Sequence, residues 1–228
     1  MKNPINRVQS VAKNLFLTAL FLAMASTAGA QKKLDLGIIE ETVKNEQNYF
    51  KQIVEVFQTD DPYIRMDDIA LVYYGQAYLP TYNTGKDENV VAMNKYYKED
   101  NYPQMYETAN KILKYNPTNL DALFFAYLSA KTIGKEQEEY LSYINKYQNV
   151  VRMITEYGDG KSAETAFYII HPSDQRHVLF ALNIENEVSH ELDPETLCNI
   201  VVVEPTKEFQ ARRVYFNLST FLNHAAKK

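Results

Sequence analysis

The spacing of apolar residues changes once along this chain, near Gly158, and this change limits the possible folds more than any other feature of the sequence. Before Gly158, apolar side chains recur at intervals of three and four residues, as Tyr49, Ile53 and Phe57 do. After it they alternate with polar ones, as in residues 214–218. The first pattern is typical of a helix with one buried face, and the second of a strand with one buried face. Helices followed by strands predict the α+β class.

The part of the chain at residues 31–157 is predicted to form antiparallel helical hairpins. Asp60, Asp61 and Pro62 end the first helix, and a second helix begins at Asp67 or Asp68 and ends before Pro80. Polar capping residues and turn residues divide the rest into shorter helices with short loops. The predicted helices after the first two cover residues 87–99, 102–115, 120–133 and 136–157, and the first covers about 34–57.

The part at residues 158–228 is predicted to form a small antiparallel sheet. The connections are too short for crossover helices, so the strands should follow one another as a meander. A sheet with one apolar face must cover that face, which predicts packing on the last long helix or on residues 219–226. The predicted strands are residues 166–170, 178–184, 199–203 and 213–218.

Residues 1–30 have the pattern of a secretory signal peptide. Basic residues precede an apolar run of 11 residues at positions 15–25, and small residues at 28–30 precede Gln31. The alternative is an uncleaved membrane anchor, but the run is short of the roughly 20 apolar residues that span a bilayer. We therefore expect cleavage before Gln31, no membrane span afterwards, and a periplasmic or secreted protein.

The charge of the remaining chain argues against nucleic acid as a partner. The predicted leader holds three of the 24 basic residues and no acidic residue, which leaves 21 basic against 29 acidic side chains and a formal charge of −8. Such a surface repels phosphate backbones. The single cysteine, Cys198, rules out an internal disulfide, and we expect it to be a small buried residue.

The run "YYKEDNYPQMYETANKILKYNP" at residues 96–117 resembles one tetratricopeptide repeat, and "TNLDALFFAYLSAKTIGK" at 118–135 is similar to the first helix of a second repeat. The resemblance therefore extends over residues 87–135. Tyr127 replaces the small residue usual in the family, and no proline closes the second repeat, so the resemblance implies a pair of hairpins and not a long solenoid.

In tetratricopeptide repeats the first helices line a concave face that binds peptides, and the resemblance implies such a groove here. Asn94 matches an asparagine that holds peptide backbone in the family, but Val90 replaces the usual neighbouring lysine, which argues against a clamp for a terminal carboxylate. The 18 tyrosines of the chain are either packing residues or part of this recognition surface. The predicted partner-binding residues are Asn94, Tyr97, Phe124, Leu128, Lys131, Tyr74 and Tyr78.

The sequence contains one candidate metal site and no catalytic constellation. His171, Asp174 and His177 lie close together between two predicted strands and could converge on an ion, but no His-Glu-x-x-His spacing is present. The glycines at 158–162 lack the strand-then-helix setting of a phosphate-binding loop, and no Gly-x-Ser-x-Gly elbow exists. We therefore predict no catalytic residue and no cofactor.

The chain after the leader also resembles a domain family of unknown function found in short secreted proteins of gut-type Gram-negative bacteria. The resemblance is carried by "VYYGQAYLPTY" at 72–82, "GDGKSAETAFYII" at 158–170 and "VYFNLS" at 214–219. It implies export and a shared fold, and it implies no activity.

Three functions remain open from the sequence. The first is an exported, non-catalytic module of the cell envelope that binds a protein or peptide. The second is a metal-assisted hydrolase that uses the loop from His171 to His177, and the third is a purely structural subunit of an envelope assembly. The oligomeric state is not fixed by any of these patterns.

Overall fold

The computed structural model describes residues 33–85 and 87–226, and the predicted leader at residues 1–30 lies outside them. Within these ranges the chain forms nine α-helices and one four-stranded sheet, which confirms the α+β class. Seven helices come before the first strand. They are α1 (Leu36–Asn45), α2 (Gln47–Gln58), α3 (Met66–Gly75), α4 (Glu88–Lys98), α5 (Tyr102–Tyr115), α6 (Leu120–Thr132) and α7 (Gln137–Tyr157).

Side-chain caps fix the beginnings of α4, α5 and α6 where the sequence predicts them. Asp87, Asn101 and Asn119 each accept a hydrogen bond from a backbone amide two or three residues further along the chain. Such caps satisfy amides that have no partner inside the helix. Because the loops are short, consecutive helices from α4 to α7 pack against each other as antiparallel hairpins.

The prediction of one continuous helix over residues 34–57 is wrong, because Glu46 interrupts it with non-helical dihedral angles. The interruption lets both α1 and α2 pack on the end of α3. Val43 and Phe50 meet at Gly75, where an added Cβ would lie 2.7 Å from Phe50 Cε2 and 3.1 Å from Val43 Cγ2. Tertiary packing therefore sets this break, and no helix-breaking residue marks it in the sequence.

The sheet has the strand order β1-β4-β3-β2 and is mixed. The last three strands form an antiparallel meander, in which β3 and β4 lie at predicted strands and β2 does not. The expectation of a wholly antiparallel sheet is wrong at β1, which pairs in parallel with β4 and places Phe167 opposite Phe216. The elements of this half are β1 (Phe167–Tyr168), α8 (Asp174–Ala181), β2 (Glu187–Asp193), β3 (Cys198–Val203), β4 (Arg213–Asn217) and α9 (Ser219–Ala225).

The prediction of a strand at residues 178–184 is also wrong, because most of this segment belongs to α8. Val178, Leu179, Ala181 and Leu182 are all buried. A short run that is apolar on every side has no period that distinguishes a buried helix from a buried strand. The connection from β1 to β4 contains this helix followed by β2 and β3, and its length allows the two strands to pair in parallel, since parallel strands need a crossover connection.

One continuous core joins the two halves. It contains side chains from α1 to α3, α7 and α8 together with β3 and β4, and a smaller apolar cluster lies between α4, α5 and α6. Cys198 is fully buried at the beginning of β3. Among the described helices, none has the length and apolar character needed to cross a membrane.

Candidate functional site

A cavity of about 250 Å³ lies where the helical hairpins meet the segment between β1 and α8. Its walls come from the end of α3, the loop before α4, the beginnings of α4 and α6, and the residues just before α8. Its described lining contains three carboxyl groups and no lysine or arginine. Its polar side chains include Tyr73, Tyr82, Asp87, Asp121, His171 and Asp174.

Asp121 lies in the first turn of α6, two residues after the Asn119 cap, and only 4% of its surface is exposed. Its Oδ1 accepts a hydrogen bond from His177 Nε2 at 2.7 Å and another from the guanidinium of Arg176. Burial alone would raise the pKa of Asp121. The hydrogen bonds and charges of His177 and Arg176 outweigh burial and hold this pKa well below its usual range. Asp121 is therefore an ionised, fully compensated carboxylate.

His177 connects Asp121 to a buried tyrosine. Since an ionised carboxylate only accepts hydrogen bonds, the proton of the His177–Asp121 bond belongs to Nε2, and Nδ1 is hydrogen-bonded to the hydroxyl of Tyr147 at 3.1 Å. Burial raises the pKa of Tyr147 far above its usual range. The chain Asp121–His177–Tyr147 uses both imidazole nitrogens and joins α6, α8 and α7, so its arrangement is that of a structural connection between helices.

Asp174 stands on the other side of the cavity, in the first turn of α8, with 6% of its surface exposed. Its Oδ2 accepts a hydrogen bond from the hydroxyl of Tyr73 at 2.7 Å, and that hydroxyl also accepts from the Ile170 amide at 3.3 Å. Burial raises the pKa of Asp174 to about 7, and the nearby charge of Asp121 adds to the increase. One cavity thus contains two buried carboxyl groups whose pKa values are shifted in opposite directions, a frequent property of functional sites.

His171 and Ser173 form a small polar turn beside Asp174. His171 Nδ1 accepts a hydrogen bond from the Ser173 amide at 3.2 Å and lies 2.8 Å from its Oγ. In the neutral ring the proton therefore belongs to Nε2. Burial lowers the pKa of His171, so the ring is uncharged near neutral pH.

The loop before α4 is attached to the far wall of the cavity by Tyr82. The Tyr82 hydroxyl donates a hydrogen bond to the Ile170 carbonyl, and its ring packs edge-on against His224 with centroids 5.0 Å apart. Burial raises the pKa of Tyr82 as well, which keeps the hydroxyl protonated as a donor. This contact closes one side of the cavity with a side chain that lies outside both carboxylate networks.

The structure brings the predicted metal ligands into one neighbourhood but gives each of them other partners. Asp174 bonds to Tyr73, His177 bonds to Asp121 and Tyr147, and His171 bonds to Ser173. Within residues 33–85 and 87–226, no group of three or more His, Cys, Asp or Glu side chains has a geometry that could hold a metal ion. The geometry therefore gives no support to the metal-ligand hypothesis.

The predicted partner-binding residues of α4 and α6 are mostly half-buried. The Asn94 amide donates within its own helix to the Val90 carbonyl at 2.8 Å, and the Tyr97 ring packs on Phe125 with centroids 5.0 Å apart. Phe124 and Leu128 are also half-buried and contact the core clusters. The exposed side chain in this set is Lys131, whose Nζ lies 5.7 Å from the centre of the Tyr127 ring.

The two remaining predicted residues differ from each other. Tyr74 has no exposed surface, and its hydroxyl donates to the Tyr168 carbonyl at 3.1 Å. Its assignment to a partner surface is therefore wrong, because residues 69–75 of the helix that carries it are all buried. Tyr78 is half-buried at the end of a 3-10 turn, Gln76–Tyr78, that follows α3, and burial raises its pKa to about 12.

Several residues of the site were not predicted from the sequence. In the sequence, Asp121 is an acidic residue in the first turn of a predicted helix. The helix dipole alone accounts for an acidic residue at that position. Its signal was its position among apolar neighbours in "LDALFFA", where a charged residue needs a buried partner. Tyr73, Tyr147 and Arg176 show no such signal, because their partners are distant in the sequence.

A family model matches residues 37–227, and its description is Domain of unknown function (DUF4919). No curated protein matches the chain, and no solved structure matches it. The match covers nearly all of the residues that the structure describes, including every wall of the cavity. The chain therefore belongs to the DUF4919 family of domains of unknown function.

Proposed function

We propose that this domain is a non-catalytic binding module of an exported, envelope-located protein, and that it binds an extended segment of a protein or peptide. The observation that carries the proposal is the continuity between the cavity and the predicted partner-binding residues of α4 and α6. Val90 lines the cavity and lies on the same helical face as Asn94 and Tyr97, four and seven residues further on. The face and the cavity thus form one candidate surface.

The second helix continues the same surface. Asp121 lines the cavity, and Phe124 and Leu128 follow it three and seven residues further along α6. An elongated ligand could therefore place one group in the cavity and its neighbours along α4 and α6. Apolar and aromatic side chains beside a polar cavity suit a peptide better than a small ion.

The hydrogen-bond pattern supports binding over catalysis. His177 uses both ring nitrogens within the protein, and Tyr147 is buried with a raised pKa, so neither is placed as a base or nucleophile for a ligand. Export rests on the signal-like residues 1–30. N-terminal sequencing of protein made in a bacterial host tests this part, and a mature chain that begins at Gln31 is the expected result.

A peptide-display selection tests the binding function. Peptides selected on the purified protein are titrated by calorimetry against the wild type, Leu128→Glu and Leu192→Glu. Leu128 lies on the proposed face, whereas Leu192 is 51% exposed on β2 and serves as the matched control. We expect Leu128→Glu to weaken binding about tenfold or more, because a desolvated contact is replaced by a charge.

The control variant should bind as the wild type does, and thermal melts of both variants separate lost binding from lost folding. Selection of no peptide, or equal loss of binding in the two leucine variants, would contradict the proposal.

A further inference from the structure

Asp174 is a buried carboxyl group without an ion-pair partner among the described residues. No lysine, arginine or histidine of those residues pairs with it, whereas Asp121 pairs with both Arg176 and His177. Asp174 accepts a side-chain hydrogen bond from Tyr73, and it lines the cavity. A carboxylate so deeply buried is stable in its charged form only with a partner charge. The side of Asp174 where such a partner could lie is the cavity.

The charge of the cavity lining also favours a positively charged ligand. Arg176 offsets the charge of Asp121, and His171 is neutral. The net charge of the cavity lining is therefore set by the carboxyl groups of Asp87 and Asp174. Their sign is negative, and the described lining holds no lysine or arginine that would cancel it. The complementary ligand is a cation.

The size of the cavity limits that cation to one long side chain. A volume of about 250 Å³ is below the usual range for drug-sized ligands. Tyr73, Tyr82 and Tyr115 contribute rings and hydroxyls to the wall, which suits an alkyl chain that ends in a charged, hydrogen-bonding group.

We propose that the cavity binds the primary ammonium group of a lysine side chain, with Asp174 as its carboxylate partner. That the lysine belongs to a protein or peptide segment rests on the function proposed above. The ammonium would occupy the cavity end of the surface, and the flanking residues of the segment would follow α4 and α6.

The proposal has a pH dependence whose direction follows from the structure. Without a ligand, Asp174 is partly protonated near pH 7. A bound ammonium favours the ionised carboxylate, so binding near neutral pH releases a proton, and affinity decreases as the pH falls below 7. The groups that act on Asp174 from the surrounding elements are Tyr73 and Tyr74 of α3, Tyr82 of the loop, Asp121 of α6, Tyr147 of α7, and His171 and Arg176 at α8.

Calorimetric titration of the purified protein with n-butylamine, a model of the lysine side chain, tests the proposal. Butan-1-ol is the uncharged control, and each titration is run at pH 7 in two buffers with different ionisation enthalpies. We expect the amine to bind with proton release and the alcohol to bind about tenfold more weakly or not at all. Asp174→Asn should lose both the binding and the proton release, while Glu191→Gln, which removes an exposed carboxylate on β2, should keep both.

Lys86 requires its own variant, because it lies in the sequence between the lining residues Gly85 and Asp87 and is outside the described residues. Butylamine is therefore also titrated against Lys86→Ala. Absence of binding in both the wild type and Lys86→Ala overturns the proposal. Equal binding of the alcohol, or amine binding that Asp174→Asn leaves unchanged, also overturns it.

A further arm identifies the source of the ammonium group. N-acetyl-lysine N-methylamide should bind more tightly than butylamine if the group belongs to a peptide, and tighter binding of the free amine contradicts the lysine assignment. Peptides that bind through Leu128 without any lysine would overturn this inference and leave the proposed function intact.

Discussion

The two sides of the cavity treat the same chemical group in opposite ways. On the α6 side, Asp121 is compensated by Arg176 and His177, and its pKa lies below the usual range. On the α8 side, Asp174 is similarly buried and accepts from the hydroxyl of Tyr73 but pairs with no cation of the described residues, and its pKa rises to about 7. Burial alone therefore does not set the charge of a carboxyl group. The partners that the fold supplies decide it.

The largest expected effect comes from removing the compensated charge. Asp121→Asn should lower the free energy of unfolding at pH 7 by about 3 kcal/mol, because it breaks a buried ion pair. Arg176 is 53% exposed and can be hydrated, which keeps the loss at the lower end for such pairs. Chemical denaturation at several pH values is the measurement.

The pH dependence of that loss has a fixed sign. Because the folded pKa of Asp121 is below its unfolded value, its stabilising contribution is present above about pH 4 and disappears as the carboxylate is protonated at lower pH. The difference between wild type and variant should shrink in acid. A difference that stays constant from pH 7 to pH 3 would contradict the ion-pair interpretation.

The contribution of Asp174 to stability should change with pH in the opposite direction. Since Asp174 has a folded pKa of about 7, its proton stabilises the folded state fully below about pH 4, and this contribution is lost as the pH rises to 7. Asp174→Asn does not ionise. We expect it to exceed the wild type in unfolding free energy at pH 8 by about 2 kcal/mol, with the gap closing towards pH 4.

Glu191→Gln is the control for the loss of one carboxylate at an exposed site, and its unfolding curve should follow that of the wild type. A variant at position 174 that is less stable than the wild type at pH 8 would show that Asp174 is ionised and compensated in the folded state.

A smaller change removes the side-chain hydroxyl that donates to Asp174. Tyr73→Phe should cost about 1–2 kcal/mol of stability, since it deletes the bond to Asp174 and the acceptor of the Ile170 amide. It should also raise the pKa of Asp174 above 7, because the hydroxyl stabilises the ionised form. Carbon-13 NMR of the aspartate carboxyl groups measures the shift, and an unchanged titration would mean that the hydroxyl does not tune the carboxyl.

Tyr147→Phe is the matched change on the compensated side and has the smallest expected effect. It removes the hydroxyl that is hydrogen-bonded to His177 and should cost about 1 kcal/mol. It should leave the titration of Asp174 in place, since burial raises the pKa of Tyr147 and keeps its hydroxyl uncharged where Asp174 titrates. A large displacement of the Asp174 titration in this variant would show that the two sides form one coupled network.

Local signals account for most of the fold that the sequence predicts. The capping residues Asp87, Asn101 and Asn119 fixed the boundaries of the hairpins, and alternation located β3 and β4. The failures occur where tertiary contacts decide. The break at Glu46 follows from packing on Gly75, and α8 is an apolar segment without a period. The edge strand β2, with almost every residue exposed, shows no buried face and was not predicted.

The candidate site was predicted only in part, for a similar reason. His171, Asp174 and His177 stood out as a local group of polar residues, and all three lie in or beside the cavity. Their partners Tyr73 and Asp121 are far away in the sequence, and no short-range pattern connects them. A prediction from spacing could thus find one wall of the cavity but not the wall that sets its charges.

The burial of Cys198 has a practical consequence for experiments on this domain. It is the single cysteine of the chain and has no exposed surface, so thiol-reactive dyes should leave the folded protein unmodified. A cysteine introduced at Tyr63, which is 90% exposed, would then be the one reactive position for a fluorophore or a surface tether. Attachment chemistry becomes available without first replacing any native residue.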